Sequence, residues 1–161
     1  MRDRPSDNPS VNKTITLTTY KFTATGKDGF VTLVNADQLE RGQSIILVIS
    51  GGTAQGFTTT NEYFVIPVDG THIALASTKA NALSGVTITT TGDAGAGTVY
   101  PNYEVNGVLW VGTGGDLNVR GKRSSVFSVC TNAADGSIFP MYIKDISSYN
   151  TTASELVAWG D

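Results

Sequence analysis

The chain has 161 residues, enough for one domain or two small modules, with a formal net charge of −3 and only 16% charged residues. That balance argues against a general nucleic-acid or anionic-membrane binder, whose long-range attraction needs a basic surface. An apolar share of 40%, 18 glycines and threonine runs such as Thr58-Thr59-Thr60 and Thr89-Thr90-Thr91 point to an all-β protein. A β-branched residue with a hydroxyl suits a pleated, half-exposed strand.

Residues 1–12 are polar, carry Pro5 and Pro9, and show no periodicity, so they read as an extended arm. They lack the apolar stretch of a signal peptide, and no run in the chain reaches membrane-spanning length. Production and folding in a reducing cytoplasm is the corresponding expectation. Alternation begins at Thr14, with Ile15 and Leu17 on one face and Thr14, Thr16 and Thr18 on the other. After a Gly26–Gly29 turn comes the strand Phe30–Val34, then a short helical turn over Asn35–Leu39. Ser44–Ser50 is the most apolar run and reads as a strand buried on both faces.

Glu62–Val68, Asp69-Gly70 and His72–Ala76 form a strand, turn, strand signal, with Pro67 implying an edge or a bulge. Ser77–Gly85 predicts a short helix with Ser77 as N-cap and Gly85 as its C-terminal stop, followed by a strand at Val86–Thr89. The Gly-dense stretch 92–97 reads as a module boundary. The expected architecture is all-β: an arm at 1–12, then two small β-sandwich or barrel-like modules at 13–100 and 104–161, joined by Tyr100-Pro101-Asn102-Tyr103.

The second module holds Val108–Val111, the turn Gly112-Thr113-Gly114-Gly115-Asp116, Leu117–Arg120, Val126–Val129, Gly136–Ile146 and Thr151–Trp159. Gly112, Gly114, Gly115 and Asp116 superficially resemble a phosphate-cradling loop. Such a loop needs a following helix, and Leu117–Arg120 alternates as a strand, so these residues read as a structural turn. Arg120, Lys122 and Arg123 form the only tight basic cluster and read as a solvated turn.

Few residue sets suggest chemistry. One histidine, His72, and one cysteine, Cys130, stand far apart, too few for a zinc site or a Cys–His pair. His72 reads as a hairpin residue and Cys130 as a small buried apolar one. Asp93 and Asp116 lie in Gly-rich loops but lack the density of a calcium site. No catalytic, cofactor-binding or metal residue is assigned. Trp110 and Trp159 read as core packing or, alternatively, as anchors of a subunit interface. The tyrosines Tyr20, Tyr63, Tyr100, Tyr103, Tyr142 and Tyr149 offer rings for a sugar groove without a common spacing.

Trp110 to Val119, Val126-Phe127-Ser128-Val129, Gly136–Ile143 and Thr151–Trp159 follow one another in an order that resembles the spike-base proteins of gene transfer agents and tailed bacteriophages. That family carries an aromatic-Val-Gly-Thr-Gly-Gly-Asp turn, a Val-x-Phe strand, a Gly-x-apolar-apolar-Pro element and a Thr-Thr-Ala strand. The resemblance covers about residues 108–159, with Asn132-Ala133-Ala134-Asp135 as an inserted departure. Glu62–Ser77, Ala80–Gly85 and Gly95–Thr98 look, more loosely, like a β-module recurring in phage structural proteins.

The resemblance implies a non-enzymatic virion protein: a capsid decoration (cement) protein, or the base of a head spike or fibre. Its implied partners are the major capsid protein or portal-proximal virion proteins, further copies of itself, and a fibre protein. No cofactor, nucleic acid or membrane is implied. Arg2, Arg4 and Pro5 of the arm, with Trp110 and Trp159, are the candidate interface residues. The alternative is a glycan-binding module on a tail or fibre. A glycan-cleaving enzyme would need two carboxylates about 5–9.5 Å apart in a cleft, which sequence does not reveal.

Overall fold

The computed structural model describes residues 11–26, 29–33, 35–52, 56–90, 95–139 and 141–160. The fold is all-β, as the composition implies. Among the described residues, twelve strands and one short helix divide between two compact units. One unit comprises Leu17–Tyr103 with Ser147–Tyr149, and the other Met1–Thr16, Glu104–Ile146 and Asn150–Asp161.

The first unit is a closed antiparallel barrel. Its strands are β2 (Tyr20–Thr25), β3 (Phe30–Leu33), β4 (Ser44–Ile49), β5 (Glu62–Asp69), β6 (His72–Ala76) and the first part of β7 (Gly97–Thr113). They run in the order β2-β3-β6-β5-β4-β7, and β7 closes the circle by pairing with β2. Alternate residues point inward: Val31 and Leu33, Ile45 and Leu47, Tyr63 and Val65, Ile73 and Leu75, and Val99 all enter one core with Phe22. That period of two is the physical content of the strand pattern read from sequence.

Two segments are apolar on both faces, and for one of them the cover is clear. The helix α1 (Lys79–Ser84) buries Ala82 against the outward residues Ile66, Ala74 and Ala76, with Phe64 alongside. The helix is capped by Thr78, whose side chain accepts from the Asn81 N–H, rather than by the neighbouring Ser77 expected from sequence. Gly85 stops it at φ 76°, as the sequence implies. Ile45, Ile46 and Leu47 are buried in succession, the two-faced burial expected for that run. A bulge between Pro67 and Asp69 accommodates the missing proline N–H.

Two expected elements do not form. Asn35–Leu39 makes a turn rather than helix, held by Leu39 N–H donating to the Ala36 carbonyl at 3.0 Å. Val86–Thr89 joins no ladder; Ile88 N–H makes an isolated bond to the Leu75 carbonyl at 2.9 Å.

The second unit contains β1 (Val11–Ile15), the rest of β7, β8 (Gly115–Gly121), β9 (Ser128–Ala133), β10 (Ser137–Ile138), β11 (Ile143–Ser147) and β12 (Ser154–Gly160). β1 pairs with β12, from Val11↔Gly160 to Ile15↔Leu156, so Val11 and Asn12 belong to a strand and not to the arm. Residues 13–16 likewise lie with this unit and not with the barrel. β12 also pairs with β7. Ile15, Leu109, Val111, Leu117, Val119, Ile143, Ile146, Leu156 and Ala158 are buried, each large side chain contributing about 1.5–3 kcal/mol relative to exposure.

Closure of the barrel demands a close approach. A Cβ on Gly97 would collide with the Val48 carbonyl oxygen and the Phe22 ring, whereas one on Gly51 meets nothing within 4 Å. Gly97→Ala is expected to lower unfolding free energy by about 1–3 kcal/mol, the usual cost of forcing extra volume into a packed site. Gly51→Ala is expected to fall within about 0.5 kcal/mol of the parent. Urea unfolding of the two variants checks the contrast.

Candidate functional site

The Gly-rich turn joins β7 to β8, and strand resumes at Gly115. The two strands are not a hairpin pair, because β11 lies between them in the sheet. Three glycines permit loops to press on this corner. A Cβ on Gly112 would stand 2.6 Å from Glu155 Cβ, and one on Gly115 2.7 Å from Thr152 Oγ1; on Gly114 it would meet the Ala133 carbonyl oxygen. Gly115 also has φ 152°, outside the ordinary range of L-residues.

The polar groups of the corner are taken up by the protein. Gly114 N–H donates to Asp135 Oδ1 at 2.6 Å, and Asp116 N–H to Thr152 Oγ1 at 2.8 Å. Asp116 Oδ1 accepts from Asn132 N–H at 3.0 Å, while its carbonyl accepts from Thr152 and Ala153 N–H at 2.9 and 3.2 Å. Asn118 N–H reaches Thr151 Oγ1 at 2.9 Å, and Thr113 Oγ1 donates to Glu155 Oε2 at 3.2 Å. A phosphate loop presents free N–H groups to its ligand. Here the N–H groups of Gly114, Asp116 and Asn118 point at side chains of this unit, so Gly112, Gly114, Gly115 and Asp116 shape a corner. Among the described residues no group of three or more His, Cys, Asp or Glu is placed to hold a metal ion.

Trp110 and Trp159 lie on one face of the β1-β12-β7-β10 sheet. Trp110 opposes Val157 and Ile138, and Trp159 opposes Val108 and Asn12. Paired residues share a face. The reverse face carries the buried Leu109, Val111, Leu156 and Ala158. Both tryptophans are half-buried and Ile138 is 57% exposed, so the outward face is an apolar stripe. Arg2, Arg4 and Pro5 lie outside the described residues.

The basic cluster differs from its sequence reading. Arg120 makes an ion pair with Asp145, Nε and Nη2 each 2.8 Å from Oδ2, with both side chains only 11% exposed. Its guanidinium also lies 4.4 Å from the Phe127 ring centroid, and Lys122 sits 4.6 Å from that of Tyr142. Arg120 is therefore a packed structural residue and not a solvated one. Asp145, 25 positions along the chain, was not singled out in sequence. Cys130 also departs from expectation: it is half-exposed on β9.

His72 starts β6 beside the hairpin turn. Its Nδ1 lies 2.8 and 2.9 Å from the two Asp69 carboxylate oxygens, and Thr71 N–H and Oγ1 reach Asp69 Oδ1 at 2.8 and 3.0 Å. The Thr71 backbone bond, then the His72 contact, hold the Asp69 carboxyl down at about 2 from an ordinary 3.8. This is a turn lock at an exposed position.

On the barrel, Thr18, Thr19, Tyr20, Lys21, Asn35 and Gln38 line a recess of about 430 Å³. Tyr103 OH supports it with a 2.6 Å hydrogen bond to Thr18 Oγ1. Of the tyrosines considered for a sugar groove, Tyr20 is in this lining, while Tyr100 and Tyr149 stack edge-on with each other at 5.2 Å.

Comparison with family models, with curated proteins and with solved structures finds no match for this chain.

Two measurements check the geometry. Arg120→Ala is expected to cost about 3–5 kcal/mol in urea unfolding, because it strands a poorly exposed Asp145 carboxylate. The Asp69 carboxyl is expected to titrate by NMR with a midpoint near 2. With a depressed folded value, its contribution to stability is complete above the unfolded carboxyl range and fades as pH falls toward 2. A midpoint near 3.8 would contradict the turn lock.

Proposed function

We propose that this chain is a non-enzymatic structural protein of a tailed-bacteriophage particle: a capsid decoration protein, or the base of a head spike or fibre. The observation that carries the reading is the outward stripe of Trp110, Trp159, Val108, Val157 and Ile138 on a sheet whose other face buries Leu109, Val111, Leu156 and Ala158. Aromatic anchors on a flat β-face suit contact with another protein surface. The corner residues of the spike-base-like segment serve backbone geometry, which agrees with a structural role. Repeated copies on a shell would turn modest contacts into firm retention. The partners of this reading are the capsid or portal-proximal proteins, a fibre and further copies of the chain.

A second reading, a glycan-binding module of a tail or fibre, is favoured by the recess at Tyr20. Its hydroxyls, amides and one aromatic side chain are the groups that hold sugars.

Quantitative mass spectrometry of purified particles separates the readings. Many copies per particle are expected, together with loss of particle binding by Trp110→Ala/Trp159→Ala while the barrel stays folded. Deletion of residues 1–10, which spares β1, is expected to weaken attachment without unfolding the chain. Absence of the chain from purified particles would overturn the proposal. A few copies at the tail tip, with binding to a glycan array lost in Tyr20→Ala, would favour the second reading.

A further inference from the structure

A strand edge with free N–H and C=O groups is a template for another strand, and monomeric proteins normally guard it with lysine, proline, a cover or a very short length. In the barrel, each of the six strands has neighbours on both sides. In the other unit, β9 pairs with β8 on one side and ends the sheet on the other among the described residues. β9 is also open on both faces: Ser128, Val129, Thr131 and Asn132 are exposed, and Cys130 and Ala133 are half-buried. Val126, just before it, is 64% exposed and Val129 45%.

Charge and proline are missing from this edge, and its one irregularity, a register shift against β8 with Asn132 at φ 57°, leaves Ser128–Cys130 in regular register. Ser124 to Ala134 contains no Asp, Glu, Lys, Arg or Pro, and Val, Thr, Cys and Phe favour extended structure. β1, another strand with a single partner in the described ladders, carries Lys13 in its middle. Charge appears only where the β9 segment stops, with Arg123 before it and Asp135 after it, both exposed. This pattern is self-complementary in one sense only. If two copies lay parallel, Arg123 would meet Arg123. Antiparallel, with the dyad near Val129, the Arg123 end of each copy meets the Asp135 end of the other.

We infer that β9 is a self-association edge, pairing antiparallel with β9 of a second copy about a two-fold axis near Val129. A two-fold axis makes the contact closed and isologous, which yields a dimer and not a fibre. The uncharged strand supplies the ladder, Val126 and Val129 supply apolar contact, and the opposite charges of Arg123 and Asp135 in the flanking turns favour the antiparallel sense. The inference rests on the self-associating part of the proposed function and needs no particle.

Cys130 gives a direct test, because it is the only cysteine in the chain. A thiol cross-linker can therefore join two chains only at that position. With the dyad near Val129, the two Cys130 residues are diagonal neighbours, about 7–8 Å apart and within reach of a short bis-maleimide. Sedimentation of the full chain is expected to show a concentration-dependent dimer, and the cross-linker to capture it covalently. Val129→Lys is expected to abolish both while leaving thermal unfolding unchanged in dilute solution, where the parent is monomeric, since Val129 is 45% exposed. Val68→Lys, at an exposed barrel position, is expected to leave the dimer intact. Arg123→Asp is expected to weaken the dimer about tenfold.

A monomer at all accessible concentrations would overturn the inference. So would a dimer that survives Val129→Lys, whether it is held by the tryptophan stripe or lost on deleting residues 1–10. A β9 dimer that never enters purified particles would instead refute the virion reading alone.

Discussion

Closure of the barrel depends on one short stretch, Gly97 to Pro101, where β7 satisfies two neighbours at once. Tyr20 to Phe22 pair with Val99 to Gly97 on one side, and Ile45 to Ile49 pair with Pro101 to Gly97 on the other. Without that double pairing, β2 and β4 would each keep a bare edge, and the inward residues would line an open sheet. With it, every strand of the unit has two partners, and Phe22, Leu47 and Val99 meet inside. Gly97 is the position that lets the strands come close enough.

A closed barrel has no edge to offer a partner strand. Free edges belong to the other unit, where β9 is uncharged and open on both faces. The apolar stripe around Trp110 and Trp159 lies on that unit too, on a sheet whose reverse side is packed. The difference is physical: one unit pairs its strands in a closed circle, and the other leaves an edge and an apolar face exposed among the described residues. The groups that looked chemical in isolation serve the backbone. Asp116 and Asp135 hold the corner after β7, Asp69 locks a hairpin, and Asp145 pairs with Arg120.

The all-β character, most strand positions, the Pro67 irregularity and the end of the helix were legible in sequence, because each has a local cause. Alternation follows from the pleat, a bulge accommodates proline's missing N–H, and a left-handed turn favours glycine. Partnership across long separations was not legible. Nothing local says that β1 joins β12, so Val11–Thr16 read as arm and first module. Val86–Thr89 has strand composition, yet the ladder positions beside β6 are taken by β3 and β5, leaving it outside any ladder. Asn35–Leu39 has caps suited to a helix but is pinned as a turn by the Ala36 N–H bond to the Gly70 carbonyl. Arg120 read as solvated because its partner stands 25 residues away. Among candidate residues, the corner glycines were recognisable from the strand that follows them, whereas the face shared by Trp110 and Trp159 was not, because it depends on the register of β7 with β12. The openness of β9 was hidden, since Val126–Cys130 reads like any buried strand until its missing neighbour is seen.

The barrel closes its strand edges, whereas the proposed pairing of β9 needs one left free for a second copy. Amide hydrogen exchange over a range of protein concentrations tests it most directly. Barrel amides, including those of Ile45 to Ile49 and Val99, are predicted to be protected at every concentration. Outward-facing β9 amides between Ser128 and Ala133 are predicted to exchange fast in dilute solution and to slow as concentration rises. Exchange in β9 that is independent of concentration would contradict the account.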